Sequence, residues 1–210
     1  MPTILDHHEQ LIESLTRDVR FLSVSQIAHQ WYSGEEGIAH EMIRKLEEAQ
    51  LVVRESHLLH PELEIKGPEF TWSPGDPEPD LGPVAYRLRK RWCLQKQMMD
   101  LIFPTKGACE HFGGVRVRPR ASEFSHDLHL AGVYLFLHNH VIPGSDLHWV
   151  SGDMLRSDGS TGDYGGHVPD AVLVNAQGQL HSIVEGGGSY ARTKLAAIHR
   201  EYRERAYQIW

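Results

Sequence analysis

The chain has 210 residues with 21 Lys and Arg against 28 Asp and Glu, a formal net charge of −7, and 40% of its residues are hydrophobic. That mixture supports a buried core and excludes a disordered or low-complexity polymer, and the length fits one large domain or two small ones. The acidic balance argues against a surface coated in positive charge, but phosphate contacts need only a local basic face.

In chain order, the N-terminus lacks a basic stretch followed by an apolar run, so no secretory signal is expected and the protein reads as cytoplasmic. Leu5, Leu11, Ile12 and Leu15 recur at helical spacing. A second short helix is predicted from Val24 to Tyr32, with Ser23 or Ser25 available as its cap and Ser33-Gly34 as its breaker. A third runs from about Glu35 to Ala49, with Ile38, Met42, Ile43 and Leu46 on one face. Leu51-Val-Val-Arg-Glu then reads as a strand. Three short helices and a strand are the pattern of a winged helix, whose second wing strand is expected at Val84–Trp92, where residues alternate and one edge carries Arg87, Arg89 and Arg91. The connection between the strands holds six prolines from Pro61 to Pro83, too many for a central strand or helix.

After Trp92 the composition shifts, and a boundary is expected between domains 1–92 and 93–210. A short linking helix is predicted for Trp92–Phe103 and a short strand for Arg116–Arg118. A strong helix follows from Ser122 through Leu137, whose apolar stretch Leu128–Leu137 is far too short to span a bilayer. Strands are expected at Leu147–Leu155, Val168–Val174 and Leu180–Glu185, with a glycine-rich loop at Asp158–Gly166 and a turn at Asn175–Gln179. A final helix is predicted from Ser189 to Tyr207. Helix, three strands and helix make an α/β arrangement in which a hairpin sets the second and third strands side by side.

Divided along the chain, the acidic surplus falls in residues 1–60, with 5 basic and 10 acidic side chains. Basic clusters follow at Arg87–Arg91, at Arg116, Arg118 and Arg120, and at Arg200, Arg203 and Arg205. The third helix offers Arg44 and Lys45 beside five glutamates, a poor surface for a polyanion, so DNA contact is expected from Arg44, Lys45 and Arg54 together with Arg87, Arg89 and Arg91 of the wing.

The chemistry lies further on. Asp170, after Pro169, and Glu185 fall at the ends of adjacent strands, where paired carboxylates suit Mg²⁺ because it prefers hard oxygen ligands. Asp, fourteen residues and Glu resemble the PD-(D/E)xK nuclease superfamily, whose site adds a lysine two residues after the Glu. That position is Gly187 here. The resemblance implies a substitute cation from the next helix, where Lys194 is the one lysine of the last hundred residues, and a further acid from the first helix, Glu123 or Asp127.

With the Trp72-Ser-Pro-Gly-Asp-Pro-Glu-Pro-Asp stretch, Tyr86-Arg-Leu-Arg, Ser125-His-Asp-Leu, Pro169-Asp-Ala and the strand ending in Glu185, most of the chain resembles the replication-relaxation family of bacterial and plasmid-associated proteins. This implies an N-terminal winged helix-turn-helix, a restriction-endonuclease-like α/β domain and duplex DNA as partner. The function expected is DNA binding in plasmid or mobile-element replication or regulation, with a nuclease-like domain that does not cleave. Two alternatives stay open: a Mg²⁺-dependent endonuclease using Asp170, Glu185 and Lys194, and an assembly module whose acidic first domain binds a partner protein while the second forms a homodimer.

Other features carry less. Cys93 and Cys109 cannot form a disulfide framework, and His126 and His129, three apart on a helix, lack a third ligand at diagnostic spacing. Trp149, Tyr164 and Tyr190 are candidates for stacking on bases, with burial in a core as the alternative.

Overall fold

A computed structural model describes residues 4–164 and 166–210, with the side chains of Ile4, Leu5, Asp6 and Asp163 left aside. Residues 1–3, and Gly165 in the expected glycine-rich loop, lie outside the described residues. The fold is mixed α+β, with eight α-helices and eight strands among the described residues. No described helix is long and apolar enough to cross a membrane. The chain divides into two compact units, residues 1–62 with 96–135, and residues 63–95 with 136–210. The proline-rich segment read as a wing insertion therefore groups with the C-terminal residues, and each unit is built from two stretches of chain.

The first unit opens with α1 (Ile4–Glu13), a π-helical turn at Ser14–Asp18 and a two-residue strand β1 (Leu22–Ser23). Helices α2 (Val24–Trp31) and α3 (Glu36–Glu48) follow, separated by Ser33 and Gly34, both with positive φ. Ser23 caps α2: its hydroxyl accepts from Gln26 N at 3.0 Å while the Gln26 side chain accepts from Ser23 N at 3.1 Å. Strand β2 (Val52–Leu59) does not pair with Val84–Trp92. Its partner is β4 (Gln97–Pro104), in an antiparallel register running from Val52 opposite Pro104 to Leu59 opposite Gln97.

The predicted linking helix at 92–103 is thus largely a strand. Three consecutive buried residues, Leu101, Ile102 and Phe103, belong to a central strand covered on both faces, and β4 is central in the sheet order β1-β4-β2. Phe21, Phe103 and Phe124 gather over it with ring centroids 5.1–6.2 Å apart. Helix α5 (Lys106–Phe112) follows, but Arg116–Arg118 forms neither helix nor strand.

In the second unit, β3 (Phe70–Trp72) precedes α4 (Leu81–Arg91), which occupies the sequence read as the second wing strand. The helix wins for local and tertiary reasons. Asp80 caps it by accepting from Gly82 N at 3.0 Å, and Pro83 falls in the first turn, where a missing N–H costs nothing. Leu81, Val84, Ala85 and Leu88 then share one buried face while Tyr86 stays exposed. The alternation of Val84, Tyr86 and Leu88 was compatible with a strand, but only the i, i+3, i+4, i+7 set is buried.

Helix α6 (Phe124–His140) begins two residues after Ser122, and its last turn falls in the second unit. The expected strand at Leu147–Leu155 is divided: β5 (His148–Ser151) ends where Ser151 caps α7 (Gly152–Ser157). Strands β6 (Ala171–Val174) and β7 (Leu180–Glu185) form the predicted hairpin. The last helix, α8 (Arg192–Tyr202), is shorter than predicted because the chain turns into β8 (Tyr207–Ile209), parallel to β7. The five-stranded sheet has the order β3-β8-β7-β6-β5. Leu88 of α4, Leu195, Ile198 and Tyr202 of α8, and Val172 and Ile183 of the sheet form one apolar cluster.

Candidate functional site

The β6–β7 register places Ala171 opposite Val184, so the residue before β6 and the last residue of β7 meet at one end of the sheet. Those residues are Asp170 and Glu185. Asp170 Oδ2 accepts a hydrogen bond from Gly186 N at 2.8 Å, and its backbone oxygen accepts from Gly152 N at 2.8 Å. The second contact requires glycine, because a Cβ at residue 152 would come within 2.3 Å of the Pro169 oxygen.

Glu185 is fully buried (0% exposed), and its backbone oxygen accepts from Trp210 N at 2.9 Å. His167 Nε2 lies 3.2 Å from Glu185 Oε1, but among the described residues neither carboxylate oxygen accepts a well-aligned hydrogen bond. Burial, followed by the charge on Asp170, lifts the Glu185 carboxyl to about 7. The contact with Glu185 raises His167 in turn. Two further residues close the site. The Tyr202 hydroxyl donates to the His167 backbone oxygen at 2.9 Å, and Tyr190, buried beside the two acids, has its phenol pKa raised by burial and by their charges.

Gly187 stands two residues after Glu185, where the resemblance to the nuclease superfamily implies a lysine. Its φ is +50°, and a Cβ there would lie 2.0 Å from the Trp210 oxygen, 2.6 Å from Arg91 Nη2 and 2.9 Å from Leu88 Cδ2. The Gly187 carbonyl accepts from Arg91 at 2.5 Å, and Arg91 also donates to the Trp210 backbone oxygen. Lys194 does lie near the pair: its Nζ stands 3.6 Å from the centre of the Tyr190 ring, and its charge opposes protonation of His167. Asp170, Glu185 and Lys194 are therefore brought into one neighbourhood. Glu123 belongs to the first unit, where its carboxylate accepts from Arg120 N at 2.9 Å and lies 3.6 Å from Arg20. Asp127 binds the same arginine at 3.0 Å. No group of three His, Cys, Asp or Glu among the described residues is arranged to hold a metal ion, and Mg²⁺ would have the Asp170 and Glu185 pair as its ligands.

The residues expected to meet DNA are largely neutralised. Arg44 grips Glu41 through two nitrogens at 2.8 and 3.0 Å and also pairs with Glu48, while Lys45 lies 3.8 Å from Glu41. Arg54 contacts Glu47 at 3.3 Å and His40 at 3.0 Å. Arg87, Arg89 and Arg91 are not on a wing strand but on α4 of the second unit. Arg87 binds the Glu69 carboxylate at 2.7 Å, Arg89 reaches back to the Ala85 oxygen at 3.4 Å, and Arg91 serves the Gly187 turn. Trp149, Tyr164 and Tyr190 are buried, so they pack in the core.

Sequence reasoning missed His167, Tyr190, Tyr202 and Arg91 as parts of the site. His167 sits two residues before Pro169, but among 15 histidines that position carried no signal. Tyr202 and Arg91 are recruited by packing of helices remote in sequence. Comparison of the chain with protein-family models, with curated proteins and with solved structures found no match.

Proposed function

We propose that the chain is a DNA-binding protein of the replication-relaxation type, whose second unit keeps a nuclease-like carboxylate pair without cleaving. Element order supports this reading. In the first unit, α2 and α3 are followed by the antiparallel pair β2 and β4, the order of a helix-turn-helix with a wing. Further on, α6, the antiparallel strands β5 to β7 with α7 inserted between β5 and β6, α8 and β8 run in an order similar to that of a restriction-endonuclease-like domain.

The observation that carries the non-cleaving part is Gly187. Where the superfamily needs a cation to stabilise charge developing on phosphate, this chain has a left-handed glycine whose side-chain space is filled by the Trp210 oxygen and Arg91. Duplex DNA should bind with strong salt dependence, unchanged by Asp170→Ala, and stay intact in Mg²⁺. Absence of binding at low salt would overturn the DNA reading. Mg²⁺-dependent cleavage that disappears in Asp170→Ala would overturn the non-cleaving one.

One observation favours protein assembly by the first unit. Leu58 and Met98 face each other across β2 and β4 and are 59% and 62% exposed, while the cations of α3 are paired with glutamates. Leu58→Lys with Met98→Lys would support that reading if it abolished self-association in sedimentation and left DNA affinity intact.

A further inference from the structure

The geometry points to a phosphate-binding site on the α8 face of the second unit, formed by Arg192, Arg200 and Arg203 around His199 Nε2, with Glu78 holding the anion's place until phosphate displaces it. It rests on the DNA-binding reading only for the source of the phosphate.

The sequence sets the face. Residues 192, 196, 199, 200 and 203 follow helical spacing, so three arginines and a histidine emerge on one side of α8 with the small Ala196 between them. They line a cavity of about 310 Å³ together with Glu78. That volume lies within the range of small-molecule sites.

His199 is built in. It is only 7% exposed, its Nδ1 lies 2.8 Å from the Tyr207 hydroxyl, and the Trp72 ring meets it edge-on with centroids 4.5 Å apart. When Tyr207 donates to Nδ1, Nε2 is left carrying a proton. Among the described residues this buried nitrogen has no well-aligned hydrogen bond, and Glu78 Oε2 stands 3.2 Å from it. Glu78 is 81% exposed on the Pro77-Glu78-Pro79 stretch. An anionic oxygen thus already stands at Nε2, on a side chain that solvent can readily take.

The arginines complete the case. Arg44, Arg54 and Arg87 are paired with glutamates, but the side chains of Arg192 and Arg200 form no hydrogen bond or ion pair among the described residues. The Arg203 guanidinium pairs, among the described residues, with the exposed carboxylate of its neighbour Glu204 at 3.3 Å, while its backbone oxygen accepts from Trp72 Nε1 at 2.9 Å. Guanidinium groups suit phosphate because their forked donors match its oxygens in pairs.

The test uses the full chain. Inorganic phosphate is titrated while the His199 imidazole resonance, assigned by its loss in His199→Gln, is followed by NMR. A saturating shift is expected, weakened at least tenfold in Arg192→Gln with Arg200→Gln and tightened severalfold in Glu78→Gln. Glu78→Gln is an exposed change, so it keeps the question open to refutation even if the double variant folds poorly. Absence of a saturating shift in both the native chain and Glu78→Gln overturns the site, whether or not DNA binds. The source is read separately from duplex binding: if the phosphates are those of DNA, the slope of log affinity against log salt should fall by about 1.8 in the double variant. Phosphate saturation without duplex binding leaves the site standing with a free phosphate as ligand and removes the DNA reading instead.

Discussion

On the proposed non-cleaving reading, Gly187 is the residue that leaves no room for a lysine beside the carboxylate pair. Its φ of +50° places it in the left-handed region, and the Trp210 oxygen, Arg91 and Leu88 fill the space a side chain would need. Gly187→Ala should therefore cost roughly 2–5 kcal/mol from left-handed backbone strain plus overpacking, measured by denaturant unfolding. Gly187→Lys should be at least as unstable and should not restore cleavage. Glu185 makes a separate prediction. Its carboxyl rises from 4.5 to about 7 in the folded chain through burial and then the Asp170 charge, so between those pH values the folded state holds a proton the unfolded state has released. Stability attributable to Glu185 is fully present below pH 4.5 and falls as pH rises towards 7, by up to roughly 3 kcal/mol. Glu185→Gln should remove that share, so the stability difference between native chain and variant should shift in the variant's favour over this window. Asp18, also lifted to about 7 by burial, contributes equally to both proteins and cancels in the difference.

Among the elements, α4 is the clearest case of two periodicities competing in one sequence. Read as a strand, Val84, Tyr86 and Leu88 share a face; in the helix, Leu88 is fully buried and Tyr86 is 62% exposed. Leu88→Ala should cost about 2–5 kcal/mol, whereas Tyr86→Ala should stay within about 0.5 kcal/mol. Comparable losses for the two would favour a strand. At α2 the sequence offered Ser23 or Ser25 as the cap, the structure selects Ser23 in a capping box with Gln26, and Ser23→Ala should cost about 1 kcal/mol. Strand β4 was not legible. Its apolar run, Leu101 to Phe103, suits a buried helix or a central strand, and only pairing with β1 and β2 decides between them.

Across the whole molecule, the charge of −7 is unevenly shared. The first unit holds 10 basic and 15 acidic side chains, and the second 11 and 13. Pairing sharpens the contrast, because the basic groups of α3 are engaged by Glu41 and Glu48, and Arg54 of β2 by Glu47. Arg44→Ala with Lys45→Ala should therefore leave the salt slope of duplex binding nearly unchanged, while removal of Arg192 and Arg200 should lower it, as measured by anisotropy over a salt series. A large slope change from the α3 pair would restore that helix as the reader of DNA.

The local pattern of the chain determined α2, α3, the β6–β7 hairpin and the approach of Asp170 to Glu185, because caps, helical periodicity and a short turn act over a few residues. The basic cluster at Arg200 and Arg203 was also legible as charge. Tertiary structure alone decided that residues 63–95 group with the C-terminal stretch and that Trp210 and Arg91 fill the space beside Gly187, and burial of one face joined the local Asp80 cap in making 81–91 a helix. Those outcomes depend on burial and pairing between segments far apart in the chain. Linear spacing can show which side chains share a helix face, but not which carboxylate from a distant segment will neutralise them or which backbone will fill the space beside Gly187.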